Sequence, residues 1–313
     1  MNENKRVLIV DDMHESIIPL LKEAGYEPVY LPVITREDIL KVLKDFTGLI
    51  IRSKTNVDKE LIEAAKNLKF VARAGAGIDK VDMEYLTARG IRMINAPEGN
   101  RDSLGEHALG LLLALLHRIP VSFNQIRQGT WDREGNRGIE LKGKVVGIYG
   151  VGNMGKAFAE KLTGFGCEVI GFDIKGQVDA DHVKLVSLDE FMLRTEILSI
   201  HVPLKEDTRA LFDRNYLERF QQLRVVVNTA RGEVMKTQEV LELLTENKLY
   251  GLATDVLENE KLSTYNAQEQ SLLNNLMTHP NVIITPHVGG WTYESYARIN
   301  EVIVDKLKAT FGG

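Results

Sequence analysis

Three side chains suited to acid–base chemistry and anion binding follow apolar stretches in the last third of the chain. Arg231 comes after "VVVNTA", Glu260 lies beyond "LATDV", and His287 comes after "NVIITP". A guanidinium clamps a carboxylate with two hydrogen bonds. An imidazole beside a carboxylate keeps a proton available for a carbonyl, and its neutral form accepts one in the reverse direction. The pattern therefore predicts a substrate anchor, a tuning carboxylate and an acid/base.

Each of these residues also has a simpler interpretation. From the stretch around Arg231 alone, the preferred interpretation of this residue is a surface salt bridge. Most histidines on strands have no role in chemistry. His287, however, stands beside Gly289 and Gly290, and paired glycines allow close backbone approach. The chemical interpretation depends on whether the chain also carries a cofactor site.

Such a site is predicted in "GKVVGIYGVGNMGKAFAEKLTGFGCEVIGFD", residues 143 to 173. Gly150, Gly152 and Gly155 form G-x-G-x-x-G between a predicted strand and a predicted helix. The first glycine permits a tight turn, the second lets a pyrophosphate approach the backbone, and the third lets helix and strand pack closely. The phosphates would meet the free N–H groups at the start of the helix.

Asp173 ends the second strand of this segment. A carboxylate there accepts hydrogen bonds from both ribose hydroxyls and repels a 2′-phosphate, so the pattern favours NAD over NADP. A glycine triplet alone is also compatible with a plain tight turn or with the first loop of a methyltransferase. The strand, the helix and Asp173 together favour the dinucleotide interpretation.

An alternation of apolar strands and helices must position these residues. Strands are predicted at 6–10, 28–31, 48–52, 69–73 and 91–95, with helices at 14–25, 35–44, 58–67 and 82–89. An apolar helix from about 102 to 118, ending before Pro120, is followed by a loop and by strands at 144–149 and near 168, 197, 224, 250 and 282. The last helix, from about 292, is expected to pack on the first domain. This alternation predicts an α/β protein with doubly wound parallel sheets.

Composition excludes several classes of protein. The 313 residues are 44% hydrophobic and 27% charged, as in folded globular proteins of about two domains. The net charge of -5 and the lack of a basic block argue against nucleic acid as a partner. Neither a signal sequence nor a run long enough to cross a bilayer is found, so we expect no membrane partner and a cytoplasmic location. The single cysteine, Cys167, is expected to be a core residue.

Seven stretches fall in the order of a known family, and together they cover nearly the whole chain: "RAGAGIDKVD", "NAPEGNRDSLGEHALGLLLALLHR", "GVGNMG" with Asp173, "HVPLKEDTR", "NTARGE", "DVLENE" and "TPHVGG". On these stretches the chain resembles the D-isomer-specific 2-hydroxyacid dehydrogenases. The resemblance implies an NAD-dependent enzyme acting on a small 2-hydroxy or 2-keto acid. It makes Arg231 the substrate arginine, Glu260 the carboxylate and His287 the acid/base.

The same resemblance implies the binding residues. Asp255 would hold the nicotinamide carboxamide, and His201 and Pro203 would line the adenosine side. Further cofactor contacts are implied for Gly150, Gly152, Asn153, Met154, Gly155, Asp173, Thr208, Thr229, Ala230, Gly289 and Gly290. The substrate carboxylate would meet the backbone N–H groups of Ala74, Gly75 and Ala76, and Asn100 is included among the substrate-binding residues. No metal site is implied.

The resemblance also implies a split domain organisation. A Rossmann dinucleotide-binding domain, residues 99–290, is expected as an insertion in a flavodoxin-like substrate-binding domain formed by residues 1–98 and 291–313. Active-site residues would then converge on a cleft between the two. A homodimer is expected, because the helix at 102–118 and the arm carrying Trp131 have more apolar surface than a lone domain needs.

Within the family, "IRSKTNV", "ARAGAGIDKVD" and "NAPEGNRDS" most resemble the D-3-phosphoglycerate dehydrogenases of serine biosynthesis. Because the chain ends with its closing helix, serine feedback through a C-terminal domain is not expected. Arg52 and Arg73 end the third and fourth strands, so both should emerge at one edge of a parallel sheet and could bind a substrate phosphate. The alternative is that they bind carboxylates such as Asp79 or Asp82.

One departure from the family pattern bears on Glu260. Lys261 follows it where the family usually has proline, and "LSTYNAQEQS" lengthens the segment before His287. The position of Glu260 is therefore less firmly predicted than that of His287.

Other functions remain to be weighed against the dehydrogenase. The acid pair Asp11 and Asp12 resembles that of a receiver domain, but the third strand ends in "LIIRSKT" rather than in an aspartate. A glyoxylate or hydroxypyruvate reductase and a non-enzymatic NAD-sensing co-repressor share the expected fold. Formate dehydrogenases have glutamine where Glu260 stands. A turnover assay distinguishes the enzymes from the co-repressor.

Overall fold

A computed structural model describes residues 5–176 and 178–312. The strands are β1 Arg6–Ile9, β2 Glu27–Tyr30, β3 Gly48–Ile51, β4 Phe70–Arg73, β5 Arg92–Asn95, β6 Val145–Tyr149, β7 Glu168–Phe172, β8 Lys184–Leu185, β9 Ile197–Ile200, β10 Val225–Asn228, β11 Gly251–Thr254 and β12 Val282–Ile284. The helices are α1 Ile17–Glu23, α2 Arg36–Val42, α3 Lys59–Ala64, α4 Met83–Ala88, α5 Pro97–Leu116, α6 Ile119–Arg127, α7 Asn153–Lys161, α8 Leu188–Arg194, α9 Arg214–Leu217, α10 Thr237–Thr245, α11 Ala267–Thr278 and α12 Tyr293–Phe311.

The chain divides into two compact units. Met1–Arg101 and Trp291–Gly313 form the first unit, and Asp102–Gly290 forms the second. Each unit contains one parallel sheet.

The sheet of the first unit has five parallel strands in the order β2-β1-β3-β4-β5. This is the flavodoxin-like order, in which the chain reverses its direction of winding after β2. The inner strands β1, β3 and β4 are mostly buried apolar runs, as expected where both faces of a sheet are covered, whereas the edge strands β2 and β5 are more exposed. On one face, Ile299, Ile303 and Leu307 of α12 pack in a cluster with Val7 and Ile50. The last helix thus packs against the five-stranded sheet.

The sheet of the second unit has the order β12-β11-β10-β9-β6-β7-β8, with every described pair parallel. Counted from β6, this is the Rossmann order 3-2-1-4-5-6 extended by one strand. The glycine motif leaves β6, where the strand order reverses and such folds bind their ligand. The prediction of two doubly wound parallel sheets, one flavodoxin-like and one Rossmann, is therefore confirmed. The two-residue β8 was not predicted, because it is too short to show a period.

The prediction of a single helix from about 102 to 118 is wrong in its bounds. The structure has α5 followed by α6, with a bend of 61° between them. Arg118 breaks the helix because it takes a left-handed conformation, with φ 55°. Pro120 lies in the first turn of α6, where its missing N–H is not needed. It therefore helps to begin a second helix, which ends at Arg127, the first residue of the predicted loop "RQGTWDREGNRGIELKG".

The apolar residues of α5 lie in the core of the second unit, where Leu112 and Leu115 pack in a cluster with Ile148 and Phe158. In the described part of the chain, no single helix is long and apolar enough to cross a membrane, although α5 and α6 pass such a test as a bent pair.

Candidate cofactor and active site

The three motif glycines have different surroundings in the second unit. Gly150 has φ 94°, and a Cβ there would lie 2.9 Å from the carbonyl oxygen of His201. A Cβ on Gly155 would lie 2.3 Å from the carbonyl oxygen of Gly150, so helix α7 packs directly on the turn. A Cβ on Gly152 would meet nothing within 4 Å. The first and third glycines are thus required by packing, whereas the second leaves open space over the backbone.

That open space lies at the start of α7. Gly152 is the N-cap residue and has extended backbone, and no side chain in the described chain caps this end. The N–H groups of Asn153 and Met154 therefore lie in the uncapped first turn, where the helix dipole favours an anion. These features fit the pyrophosphate of a dinucleotide.

Asp173 lies one residue beyond β7 and is held by the same turn. Its Oδ2 accepts a hydrogen bond from Val151 N at 2.9 Å, and its Oδ1 accepts one from Lys175 N at 3.0 Å. Each carboxylate oxygen keeps a lone pair for a further donor. The position and charge suit the ribose hydroxyls of NAD.

His201 begins the segment after β9, and its carbonyl lies against Gly150. Its Nε2 is 2.8 Å from Ser199 Oγ, and the ring packs beside Phe158. Burial lowers the pKa of His201 to about 3, so the ring is neutral. Its buried Nδ1 has no hydrogen-bond partner among the described residues. The structure thus places this predicted adenosine-side residue at the glycine turn.

Pro203 and Thr208 lie in a closed loop after His201. Thr208 Oγ1 donates to the carbonyl of Pro203 at 2.7 Å and accepts a hydrogen bond from Lys205 N at 2.8 Å. The two predicted cofactor residues are thus joined to each other.

Arg231 follows β10 in a turn that is shaped by Asn228. Asn228 Oδ1 accepts from Ala230 N, and Asn228 Nδ2 donates to the carbonyl of Arg231, each at 3.0 Å. Arg231 Nη1 donates to the carbonyl of Ala230 at 2.7 Å. The buried Thr229 Oγ1 has no partner among the described residues. Sequence reasoning missed Asn228, although an asparagine at a strand end before a turn was a visible signal.

Asp255, which is 2% exposed, organises the turn that carries His287. Its Oδ1 accepts hydrogen bonds from Thr285 Oγ1 at 2.6 Å and Val288 N at 2.9 Å, and its Oδ2 accepts from Gly289 N at 2.7 Å. Burial by itself raises the pKa of Asp255, but hydrogen bonds from His107, Thr285 and the two amides outweigh burial and lower it. The carboxylate is therefore ionised and shared among internal donors.

His107 had no predicted role beyond its place in a family stretch, and the structure brings it to Asp255. Its Nε2 is 3.0 Å from Thr285 Oγ1 and 3.3 Å from Asp255 Oδ1. A Cβ on Gly289 would lie 2.9 Å from Asp255 Oδ2, so the close approach predicted for the glycine pair occurs there.

His287 and Glu260 form a direct pair. His287 Nδ1 lies 2.8 Å from Glu260 Oε1 and 3.0 Å from Glu260 Oε2. His287 has a left-handed backbone, with φ 55°, and its N–H donates to the carbonyl of Asp255 at 2.8 Å. A left-handed backbone is uncommon in a non-glycine residue. Within the described chain, His287 Nε2 has no hydrogen-bond partner, so a reacting group can approach it.

The lengthened segment after Glu260 folds back on the preceding residue, Asn259. Tyr265 Oη donates to the Asn259 carbonyl at 2.6 Å, and Lys261 N donates to Asn259 Oδ1 at 3.0 Å. Asn259 Nδ2 donates to Glu269 Oε1 at 3.0 Å. The departure from the family pattern therefore leaves Glu260 in contact with His287. Sequence reasoning did not foresee the roles of Asn259 and Tyr265.

In the first unit, the loop after β4 shows that one of the three N–H groups expected to bind the substrate carboxylate is already used. Ala74 N donates to the carbonyl of Ile51 at 2.8 Å, so this N–H extends the sheet and is not available to a substrate. The N–H groups of Gly75 and Ala76 have no partner among the described residues. Gly75 has φ 128°, and a Cβ there would lie 1.8 Å from Arg73 Nη1. The Arg73 guanidinium therefore lies directly over Gly75.

Asn100 and Arg52 complete the predicted residues of this unit. The buried Oδ1 of Asn100 has no partner among the described residues. Arg52 follows β3 directly, and the residue before it, Ile51, is the register partner of Arg73. Asp82, one of the carboxylates considered as an alternative partner, instead caps α4 by accepting from Tyr85 N at 2.9 Å.

Residues 109–289 match the sequence profile of the NAD binding domain of the D-isomer specific 2-hydroxyacid dehydrogenases. The chain is also 31% identical over 308 residues to the hydroxypyruvate reductase of Thermotoga maritima, and the match covers 98% of both proteins. The chain belongs to this family. The resemblance drawn from the sequence and the prediction of NAD as cofactor are confirmed.

Other members of the 2-hydroxyacid dehydrogenase family differ in length. The D-3-phosphoglycerate dehydrogenase of Methanocaldococcus jannaschii is 34% identical over 312 residues, which are 98% of this chain but 58% of that protein. The chain thus spans little more than half of that relative. The crystal structure of the TT0316 protein from Thermus thermophilus has a TM-score of 0.81 at 29% identity, covering 98% of this chain and 96% of the other.

The second unit of this dehydrogenase-family chain thus offers two kinds of chemistry. The uncapped start of α7 and Asp173 can hold a dinucleotide. The His287–Glu260 pair can hold or release a proton at Nε2, next to a turn fixed by Asp255. In the described part of the chain, no group of three or more His, Cys, Asp or Glu side chains could hold a metal ion.

Proposed function

We propose that the protein interconverts a D-2-hydroxy acid and the corresponding 2-keto acid with NAD, and that its substrate is D-3-phosphoglycerate, oxidised to 3-phosphohydroxypyruvate. The observation that carries the chemistry is the 2.8 Å contact between His287 Nδ1 and Glu260 Oε1. It fixes the ring and leaves Nε2 for the substrate.

In oxidation, the neutral imidazole accepts the substrate hydroxyl proton at Nε2, and the Glu260 carboxylate stabilises the imidazolium that forms. In reduction, the same Nε2–H returns its proton to the carbonyl oxygen. NAD, when bound, supplies the acceptor or donor of the hydride. Arg231 binds the substrate carboxylate through its guanidinium.

Two observations support a phosphorylated substrate. Arg52 and Arg73 lie at the carboxyl ends of neighbouring strands, and two cations there suit a second anion. The relatives from Methanocaldococcus jannaschii and Archaeoglobus fulgidus are named D-3-phosphoglycerate dehydrogenase.

Hydroxypyruvate is the second candidate substrate, and a specific observation favours it. The Thermotoga maritima relative, named hydroxypyruvate reductase, matches this chain from end to end. The phosphoglycerate dehydrogenases extend well beyond the match.

We also propose a homodimer, but its interface is formed by α6 and the arm carrying Trp131 and not by the helix predicted at 102–118. The apolar side chains of α5 already lie in the unit's own core, whereas α6 and the arm after it expose large apolar residues. Phe123 is 61% exposed and Trp131 is 85% exposed. A second copy is the partner we expect to cover them. Sedimentation at micromolar concentration should give a dimeric mass, and a monomeric mass would refute the proposal.

The test of function is a panel of 2-hydroxy and 2-keto acids with NAD or NADH, compared by kcat/KM. We expect 3-phosphohydroxypyruvate to exceed hydroxypyruvate by more than about tenfold, which corresponds to ~1.4 kcal/mol. Equal values of kcat/KM for the two acids would refute the phosphoglycerate assignment but not the proposal of a 2-hydroxyacid dehydrogenase.

A substitution tests the acid/base. His287→Ala should lower kcat by at least about a hundredfold with little change in NADH affinity. The exposed His182 provides the control substitution, His182→Ala. Absence of turnover with every acid would favour a co-repressor-like NAD sensor.

A further inference from the structure

Arg52 is stacked on aromatic rings within the first unit. Its guanidinium carbon lies 3.8 Å from the ring centroid of Trp291 and 5.2 Å from that of Tyr296. The two rings contact each other, with centroids 4.9 Å apart. Trp291 comes directly after the glycine pair that follows His287, and Tyr296 lies one turn into α12.

Hydrogen bonds fix the second ring and the arginine together. Tyr296 Oη donates to Asp12 Oδ2 at 2.9 Å, and Tyr30 Oη donates to Asp12 Oδ1 at 3.2 Å. Arg52 Nη1 donates to the carbonyl of Asp12 at 3.4 Å. Burial and the bond to Asp12 raise the pKa of Tyr296 to about 12, so its hydroxyl remains a donor.

The backbone of Arg52 is held by the other member of the acid pair. Asp11, which is buried, accepts hydrogen bonds at Oδ2 from the N–H groups of Arg52, Ser53 and Lys54. Asp11 and Asp12, the acid pair that resembles that of a receiver domain, thus both hold Arg52. Asp11 holds its backbone, and Asp12 helps to hold its side chain.

This stacking has a chemical consequence. A planar guanidinium stacks through its face, which leaves the N–H donors along its edge free to bind an oxyanion with two hydrogen bonds. An unsupported arginine samples many rotamers and loses that freedom on binding. An arginine already held against a ring loses less, so the anion binds more tightly.

We propose that Trp291 is a positioning residue that orients Arg52 toward the second anionic group of the substrate, and so determines the preference for phosphorylated acids. Tyr296 and Asp12 support the same orientation. The inference rests on the proposed function in one respect, namely that Arg52 contacts the substrate.

Kinetics test the positioning role. Trp291→Leu should lower kcat/KM for 3-phosphohydroxypyruvate about tenfold, chiefly through KM, while kcat/KM for hydroxypyruvate changes less than about twofold. Trp291→Phe, which keeps an aromatic face, should retain most of the preference. Tyr293, which is 93% exposed and begins the same helix, provides the control Tyr293→Leu.

A double substitution separates positioning from direct contact. Trp291→Leu in the Arg52→Ala background should cause no further loss, because Trp291 acts through Arg52. If the two effects multiply instead, Trp291 acts independently and the proposal is overturned. An unchanged KM in Trp291→Leu also overturns it, whether or not the enzyme prefers phosphorylated acids.

An equilibrium readout distinguishes this failure from failure of the proposed function. The chain has two tryptophans, so Trp131→Phe leaves Trp291 as the single reporter. Titration with 3-phosphoglycerate or inorganic phosphate should change its fluorescence, and the additional substitution Arg52→Ala should abolish the response. If this response occurs without turnover of phosphorylated acids, the positioning role stands and the substrate assignment fails. If fluorescence is insensitive to both anions, Trp291 does not report an anion at Arg52 and the positioning proposal fails.

Discussion

His287 Nδ1 lies 2.8 Å from Glu260 Oε1, although 27 positions separate the two residues in the chain. The histidine takes its place because Asp255 accepts hydrogen bonds from the backbone on its C-terminal side. The glutamate takes its place because the segment after it folds back onto Asn259. Each partner is thus held by its own hydrogen-bond network, and each network can be tested separately.

Glu260→Gln tests the pair itself. The amide has no negative charge, so the imidazolium that forms when His287 accepts the substrate proton is stabilised less. We expect kcat for hydroxy-acid oxidation to fall at least about tenfold, which corresponds to ~1.4 kcal/mol, with little change in NADH affinity. The measurement is kcat and KM for oxidation, beside an NADH titration. An unchanged kcat would mean that another acid serves His287.

Tyr265→Phe tests the loop that replaces the family's proline. The substitution removes the hydroxyl that donates to the Asn259 carbonyl at 2.6 Å. Such a bond contributes about 1 kcal/mol to the ordered loop, so we expect a fall in kcat of up to roughly fivefold, with NADH affinity unchanged. Tyr85→Phe, which removes a hydroxyl bonded to Glu63 in the other unit, is the matched control. Equal kcat in both variants would show that the loop does not position Glu260.

Gly152→Ala and Gly155→Ala should fail in different ways. The first places a methyl group in open space, so folding should be intact while NADH binding weakens at least about tenfold. The second drives a methyl group toward the Gly150 carbonyl, and overpacking should cost about 1 to 3 kcal/mol of stability. Gly110→Ala, in α5 with nothing within 4 Å, is the control. Calorimetric titration measures NADH affinity, and urea unfolding measures stability. If both variants lose affinity and stability to a similar extent, the two glycines do not have separate roles.

Asp173→Ser should weaken the preference for NAD over NADP. The carboxylate accepts from Val151 N and is placed to repel a 2′-phosphate. Wild-type protein should prefer NAD to NADP in kcat/KM, and the variant should narrow that ratio at least about tenfold. Equal use of the two cofactors by the wild type would contradict the prediction.

Asp255→Asn should destabilise the second unit, since an amide cannot accept from every donor that the carboxylate serves. Hydrogen bonds to a charged group contribute about 1.5 to 3 kcal/mol, so a loss of that order is expected at pH 7. Because the folded-state pKa of Asp255 is lowered from 3.8, its contribution is complete above that value and is lost as pH falls through the folded-state pKa. The difference in urea midpoint between wild type and variant should therefore shrink toward pH 3. A constant difference would exclude the ionised carboxylate as its source.

The sequence by itself determined the features that depend on neighbouring residues. A strand, a glycine turn and a helix follow one another in the 143–173 segment, so their order alone predicts Gly150, Gly152, Gly155 and Asp173 as cofactor-binding residues. Alternating strands and helices likewise predicted both parallel sheets, because apolar runs report which elements are buried on both faces. The resemblance to the family added the predicted roles of Arg231, Glu260 and His287.

Tertiary structure alone decided which polar groups meet. His107 lies 178 positions from Thr285, which it contacts, and no local pattern indicates that contact. The N–H of Ala74 could be assigned to a substrate or to β3 until the sheet register showed that β3 takes it. Arg52 had several possible anionic partners in the sequence, and the fold places it against Trp291 instead. The physical reason is that periodicity reports burial, whereas a hydrogen-bond or stacking partner is chosen by loop geometry after the chain has packed.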